Sequence, residues 1–333
     1  MNIIVVGAGN MGRHHARVYS EMDAVKKVRV VDPNPETLKQ FDGNEKIKCF
    51  ASLEEALTEG EAHAASVVVP THLHYEVGKK IIEAGLPMLL EKPLCDSIEK
   101  GLELKALAEE KGVLLMPGHL ERFNPAITEL KNNLKMLGEL VYASTHRYGI
   151  PSNRKLGDAL YDLAVHDVDL LTYLTGKKPV AVSAIERDWL KLGSNDLCSC
   201  VFEFDGGFTA SVEANRVSPI KVRELLLVGK EGVARVDYTK QSLSIFKLEE
   251  IPKEYHAYKT FNELVTHAGQ GNELKIFIKK GEPLRAELEH FLACVRGEAE
   301  PFVTATDGLY ALAAVQAGAT AAKSGKKEEI KVK

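Results

Sequence analysis

The chain has 333 residues, 45% of them hydrophobic and 27% charged, with a formal net charge of −4. That length fits two domains of ordinary size, and the composition is that of a folded globular protein and not a disordered one. Acidic and basic residues are mixed along the whole chain, so there is no basic field for nucleic acid and no reason to expect an anionic membrane partner.

The start, MNIIVVGAG, carries no positive n-region and runs straight into a strand, so a signal peptide is not expected. NIIVVG reads as a strand, RHHARVYSEM as a helix and KVRVVD as a second strand. PETLKQF and SLEEALTE are helical, AASVVVP is a strand, HYEVGKKIIEAG a helix and PMLLEKP a strand. Ile98, Leu102, Leu104 and Leu107 lie near helical spacing before Gly112 closes that helix, and VLLMPGH supplies one more strand. Apolar strands separated by crossover helices predict a parallel sheet covered on both faces.

The texture changes after about Phe123. NPAITELKNNLKML is helical, GELVYASTHRYG follows, and ALYDLAVHDVDLLTYL is helical again. Strand-like runs come next, with turn signals at Asp205-Gly206-Gly207 and Lys230-Glu231-Gly232 that predict hairpins and an antiparallel sheet. Residues 283–323 return to helix. The expected organisation is α/β, with a nucleotide-binding domain over 1–122 and a second domain over 123–333 built on one broad sheet with helices on one face.

No apolar run approaches the roughly 20 residues needed to span a bilayer. The cysteines (Cys49, Cys95, Cys198, Cys200 and Cys294) are odd in number and scattered, which is consistent with the reducing cytoplasm. Cys198 and Cys200 fall two apart in a strand-like run and point to one face, so they read as small core residues in preference to half of a metal site. No metal is expected.

Chemistry begins at Gly7-Ala8-Gly9-Asn10-Met11-Gly12, a G-x-G-x-x-G between an apolar strand and a helix. Gly7 permits the tight turn, Gly9 lets backbone approach a pyrophosphate, and Gly12 lets the helix pack on the strand. The helix N-terminus then offers free N–H groups and a positive dipole end to the anion. Asp32 ends the second strand about 20 residues beyond Gly12, where an acid meets the ribose hydroxyls. Pro33-Asn34-Pro35-Glu36 carries no cation to neutralise a 2′-phosphate. The cofactor expected is NAD, not NADP.

Two further elements attract attention. Glu91-Lys92-Pro93 closes a strand, and ligands of doubly wound sheets sit at the carboxyl ends of strands. By position alone Lys92 reads equally as a solvated surface charge. Asp162 and His166 are spaced i, i+4, which puts a carboxylate and an imidazole on one helix face; a surface pair or a satisfied buried histidine has the same spacing.

Taken in order, the glycine loop, Asp32, Thr71 with His74, Glu91-Lys92-Pro93, Arg122 with Asn124-Pro125, and Gly157 ahead of Asp162-x-x-x-His166-x-x-Asp169 resemble the Gfo/Idh/MocA family over essentially the whole chain. The resemblance implies an N-terminal Rossmann domain and a C-terminal α/β domain with a large, mostly antiparallel sheet, frequently used for homo-oligomerisation (a dimer or tetramer). It implies catalytic roles for Lys92, Asp162 and His166. It places Gly7, Gly9, Asn10, Met11, Gly12, Asp32, Pro70, Thr71, His74, Glu91 and Lys92 around the cofactor. Arg122, Lys155, Lys92, Asp162 and His166 are then expected at the substrate.

Two departures stand out: Asp158 follows Gly157 where many relatives have two glycines, and Leu120-Glu121 precede Arg122. The segment Gly118–Ala126 looks most like dehydrogenases acting on UDP-N-acetylglucosamine at C3. Arg122, Arg147, Arg154, Lys155 and Arg216 are the cations available for a substrate diphosphate. Other readings are an inositol or free-aldose dehydrogenase, a glycosidase working by transient oxidation with retained NAD, and a non-catalytic NAD-binding sensor, whose mark would be loss of the Lys or His.

Overall fold

A computed structural model describes residues 1–152, 157–247 and 272–332. Two compact units make up the chain, Met1–Phe123 with Glu282–Thr320 and Ile330–Lys333, and Asn124–Gly281 with Ala321–Glu329. The chain leaves the first unit after Phe123 and returns to it over Glu282–Thr320.

In the first unit β1 (Asn2–Val6), β2 (Lys27–Val31), β3 (Ile47–Phe50), β4 (Ala64–Val67), β5 (Met88–Glu91) and β6 (Leu115–Gly118) form a parallel sheet in the order β3-β2-β1-β4-β5-β6. Every residue of β4, β5 and β6 is buried, as a strand covered on both faces requires. The strand β3 was not expected from the sequence. Its four residues lie at the sheet edge with Lys48 exposed, too short a run to display a period. From β1 the chain moves outward through β2 and β3, then returns to β4 on the other side. The order therefore reverses between β1 and β4, the position where such sheets bind ligands.

Residues 282–320 belong here because of their apolar stripe. Helix Pro283–Val295 buries Leu284, Leu288, Phe291 and Leu292 in one core with Ile3, Val5, Ala16, Val18 and Tyr19. Each such side chain contributes about 1.5–3 kcal/mol of transfer free energy. Periodicity marks that stripe in the sequence but does not say which sheet receives it.

The second unit holds β7 (Leu140–Tyr148), β8 (Pro179–Arg187), β9 (Leu197–Phe204), β10 (Thr209–Asn215), β11 (Val222–Gly229), β12 (Gly232–Asp237), β13 (Ser242–Lys247), β14 (Asn272–Ile276) and β15 (Glu328–Glu329). Among the described residues they form one sheet in the order β14-β13-β12-β11-β7-β10-β9-β8-β15. All neighbours are antiparallel except β7 with β10. Both turn signals join antiparallel neighbours, β9 to β10 and β11 to β12. Strand β10 alternates strictly between buried and half-buried residues, the mark of a sheet with one face in the core.

Cys198 and Cys200 are both buried on that core side of β9. A hydrogen bond with Cys200, followed by burial, pushes the Cys198 thiol well up, which suits an inert core residue. Among the described residues no His, Cys, Asp and Glu group is arranged to hold a metal ion. No helix among them is long and apolar enough to cross a membrane.

Candidate active site

The glycine loop bends tightly between β1 and helix Asn10–Glu21. Gly7 has φ +99°, and a Cβ there would lie 2.5 Å from the Val68 carbonyl oxygen. At Gly12 a Cβ would meet the Gly7 carbonyl oxygen at 1.9 Å, so helix and loop touch backbone to backbone. Gly9 is different: nothing lies within 4 Å of its added Cβ. Gly9 is also the N-cap, with no side-chain capping bond and no acid in the first turn. The N-terminus of this helix is exposed at Gly9 and Asn10, an arrangement that fits a dinucleotide pyrophosphate on its unsatisfied N–H groups.

Asp32 is tied to this loop. Its Oδ2 accepts the Ala8 N–H at 2.9 Å and its Oδ1 the Asn34 N–H at 2.9 Å. A carboxylate has about four lone-pair positions, so two remain for ribose hydroxyls. Gln40 donates to the Ala8 carbonyl at 3.0 Å and steadies the same turn.

Lys92 follows the last residue of β5 and is half-buried. The Lys92–Pro93 peptide bond is cis. Pro70 is exposed and Thr71 half-buried, but His74 is buried, with Nδ1 2.9 Å from the Pro93 carbonyl and Nε2 2.9 Å from that of Val69. Burial lowers its pKa despite those two bonds. His74 therefore joins the segment after β4 to the one after β5, a structural clamp and not an open contact for cofactor. Arg122 is also buried, paired with Asp307 at 3.3 Å and donating to the Phe302 carbonyl at 3.2 Å. A substrate would have to displace Asp307 to reach it.

In the second unit the helix carrying Asp162 and His166 is not uniform. A π-helical turn, Leu160–Ala164, precedes α-helix Val165–Thr175; such turns occur frequently at functional sites. Asp162 has its side chain 46% exposed and pairs with Arg216, whose guanidinium is buried and also reaches the Gly157 carbonyl. His166 is buried. The departure at Asp158 has a definite use. Its carboxylate accepts the Asn195 N–H at 2.7 Å, and its carbonyl accepts the Asp162 N–H at 3.0 Å. Asp158 thus anchors the start of the helix.

The cations expected to serve a diphosphate are largely engaged within the protein. Arg147 grips Asp167 through two bonds of 2.9 and 3.0 Å, and Arg216 holds Asp162. Arg154 and Lys155 lie outside the described residues. The pairing of Arg216 with Asp162 was not anticipated, and no local motif announces it.

Residues 1–119 match the model of an oxidoreductase family with an NAD-binding Rossmann fold, and residues 131–332 match that family's C-terminal alpha/beta domain. UDP-N-acetylglucosamine 3-dehydrogenase of Acidithiobacillus ferrooxidans is 27% identical over 93% of this chain and 93% of its own. The scyllo-inositol 2-dehydrogenase (NAD(+)) of Bacillus subtilis is 27% identical over 99% of this chain and 96% of its own. The solved structure of the A. ferrooxidans enzyme, at 26% identity, superposes with a TM-score of 0.84 over 97% of this chain and 98% of that one.

Proposed function

Because this chain belongs to the Gfo/Idh/MocA family of oxidoreductases, we propose that it oxidises a secondary hydroxyl of a nucleotide sugar, with UDP-N-acetylglucosamine at C3 as the leading substrate. The chain is an NAD-dependent oxidoreductase acting on CH–OH groups, within a family of sugar and inositol dehydrogenases. The observation that carries the finer reading is similarity to a UDP-N-acetylglucosamine 3-dehydrogenase along nearly the full length of both chains. The equally identical scyllo-inositol enzyme supports an inositol as the second reading.

The first unit would hold the cofactor through the N–H groups of the helix N-terminus that follows Gly9 and the two remaining acceptor positions of Asp32. When bound, NAD supplies the acceptor for the hydride of the carbinol carbon. His166 takes the hydroxyl proton on an imidazole nitrogen, the general-base role that histidine most often fills. Lys92 donates a hydrogen bond from Nζ to the substrate oxygen and stabilises its developing negative charge. Asp162, itself steadied by Arg216, orients His166 or a neighbouring hydroxyl.

A screen of UDP-sugars, inositols and free aldoses, reading NAD reduction, tests this proposal. Turnover is expected with UDP-N-acetylglucosamine, with kcat/KM for NADP lower by about tenfold or more because the Asp32 carboxylate repels a 2′-phosphate. Turnover of unactivated sugars alone would overturn the nucleotide-sugar reading, and of inositols alone would favour the second. Turnover of a glycoside without added cofactor would mark a glycosidase, and NAD binding with no turnover a sensor. A preference for NADP would remove the role given to Asp32.

We also infer that the chain forms a homo-oligomer. The strand register puts Ile185 of β8, Val201 of β9, Tyr142 of β7 and Leu226 of β11 on one side of the sheet, all exposed, and apolar rows of this kind mark association surfaces. Light scattering is expected to give a multiple of the single-chain mass. A monomer at micromolar concentration would reject the inference.

A further inference from the structure

His15 and Glu91 are 76 residues apart in the chain, and both are buried. His15 lies on the helix that opens at the glycine loop, and Glu91 is the last residue of β5, directly before Lys92. The His15 Nε2 is 3.1 Å from Glu91 Oε1. The other oxygen, Oε2, accepts the backbone N–H of Lys92 at 3.2 Å. Burial opposes ionisation of Glu91, yet the hydrogen bond and charge of His15, with the charge of Lys92, hold its carboxyl below the usual carboxylate range. An ionised carboxylate only accepts, so Nε2 donates.

Little else orients this pair. His15 Nδ1 is buried without a hydrogen-bond partner among the described residues, which leaves the bond to Glu91 to set the ring's polar orientation. Gly118 packs closely against the Glu91 carboxylate, since a Cβ there would lie 3.3 Å from Oε1. A buried polar pair of this kind is a poor source of stability alone, because apolar residues of similar volume often do as well. Its geometric effect is definite: it links the glycine-loop helix to the main-chain amide of Lys92.

We propose that His15 is a positioning residue, which through Glu91 sets the backbone at Lys92 in register with the helix that opens at the cofactor loop. This rests on the reading of Lys92 as the group that acts on substrate. A path of two hydrogen bonds leads from that helix to that amide. Losing the first would free the carboxylate to turn and release the second. Displacements of about 1 Å at a reacting group cost up to roughly 100-fold in rate.

The test uses His15→Ala, His15→Gln, Lys92→Ala and the double variant His15→Ala/Lys92→Ala in the full chain. Amide hydrogen exchange of segment 88–93 needs no substrate. It is expected to quicken by about tenfold or more in His15→Ala and to return towards wild type in His15→Gln, whose amide N–H can donate to Glu91. With the sugar found in the screen, His15→Ala should lower kcat by about 10- to 100-fold and change the NADH Kd by less than about threefold. In the Lys92→Ala background the same change should add less than about threefold, because coupled residues are not additive.

Unchanged exchange at 88–93 with full kcat in folded His15→Ala would overturn the proposal, while Lys92→Ala still abolished turnover. Equal losses in both backgrounds, with no rescue by glutamine, would assign His15 a merely structural role. If His15→Ala fails to fold, exchange and kcat of His15→Gln decide: wild-type values support the proposal and a full loss rejects it. Near-normal turnover in Lys92→Ala would instead remove the reading of Lys92, and this inference with it.

Discussion

Replacing Lys92 with alanine is expected to lower kcat by roughly 10³-fold while the NADH Kd stays within about threefold of wild type. Removal of one donor to a developing oxyanion costs about 10²–10³-fold in a water-excluded site, and here the donor also carries a full charge. The cofactor loop and Asp32 do not depend on the Lys92 side chain. Lys92→Arg should recover little, since a planar guanidinium does not occupy the position of a compact ammonium. Steady-state kcat and an NADH fluorescence titration check both halves. Turnover within tenfold of wild type in Lys92→Ala would take the lysine out of the chemistry.

The glycine loop yields the second large effect, and it separates two glycines that look alike in the sequence. Gly12→Ala would put a Cβ 1.9 Å from the Gly7 carbonyl oxygen. Both sides of that contact are backbone, so no rotamer change relieves it. The loop and helix must separate, at a cost of about 3 kcal/mol or more, and the N–H groups for the pyrophosphate move with them. A fall in Tm of several degrees is expected, together with a loss of NADH affinity of about 100-fold or more. Gly9→Ala has no protein atom within 4 Å of its new methyl. Its Tm should remain near wild type, and only NADH binding should fall, by about tenfold or more, because the methyl enters the space left for the pyrophosphate. Thermal melts and NADH titrations on the two variants decide it. Equal Tm values for both would show that Gly12 does not make the contact described.

Much of the architecture was legible because its signals are local. The apolar runs of β4, β5 and β6 announce a covered parallel sheet without reference to any partner. The turns at Asp205-Gly206-Gly207 and Lys230-Glu231-Gly232 mark their hairpins in three residues each. The edge strand β3 escaped because four residues with a central lysine carry no period. The return of residues 282–320 to the first unit escaped because a stripe such as Leu284, Leu288 and Phe291 fits any apolar surface.

The same division runs through the candidate site. The sequence by itself determined the glycine loop, the acid at Asp32, the strand-end Lys92 and the i, i+4 spacing of Asp162 and His166, since each is a short-range pattern with its own chemistry. Only the tertiary structure decided which charges those residues meet. Arg216 reaches Asp162 across 54 positions and His15 reaches Glu91 across 76, while Arg122 is drawn to Asp307 and away from an open surface. A buried charge must find a partner or lose its ionisation, but the partner comes from wherever the fold brings it. No local spacing records that choice, and for that reason the glycine loop could be read at once while the pairings around Lys92 and Asp162 could not.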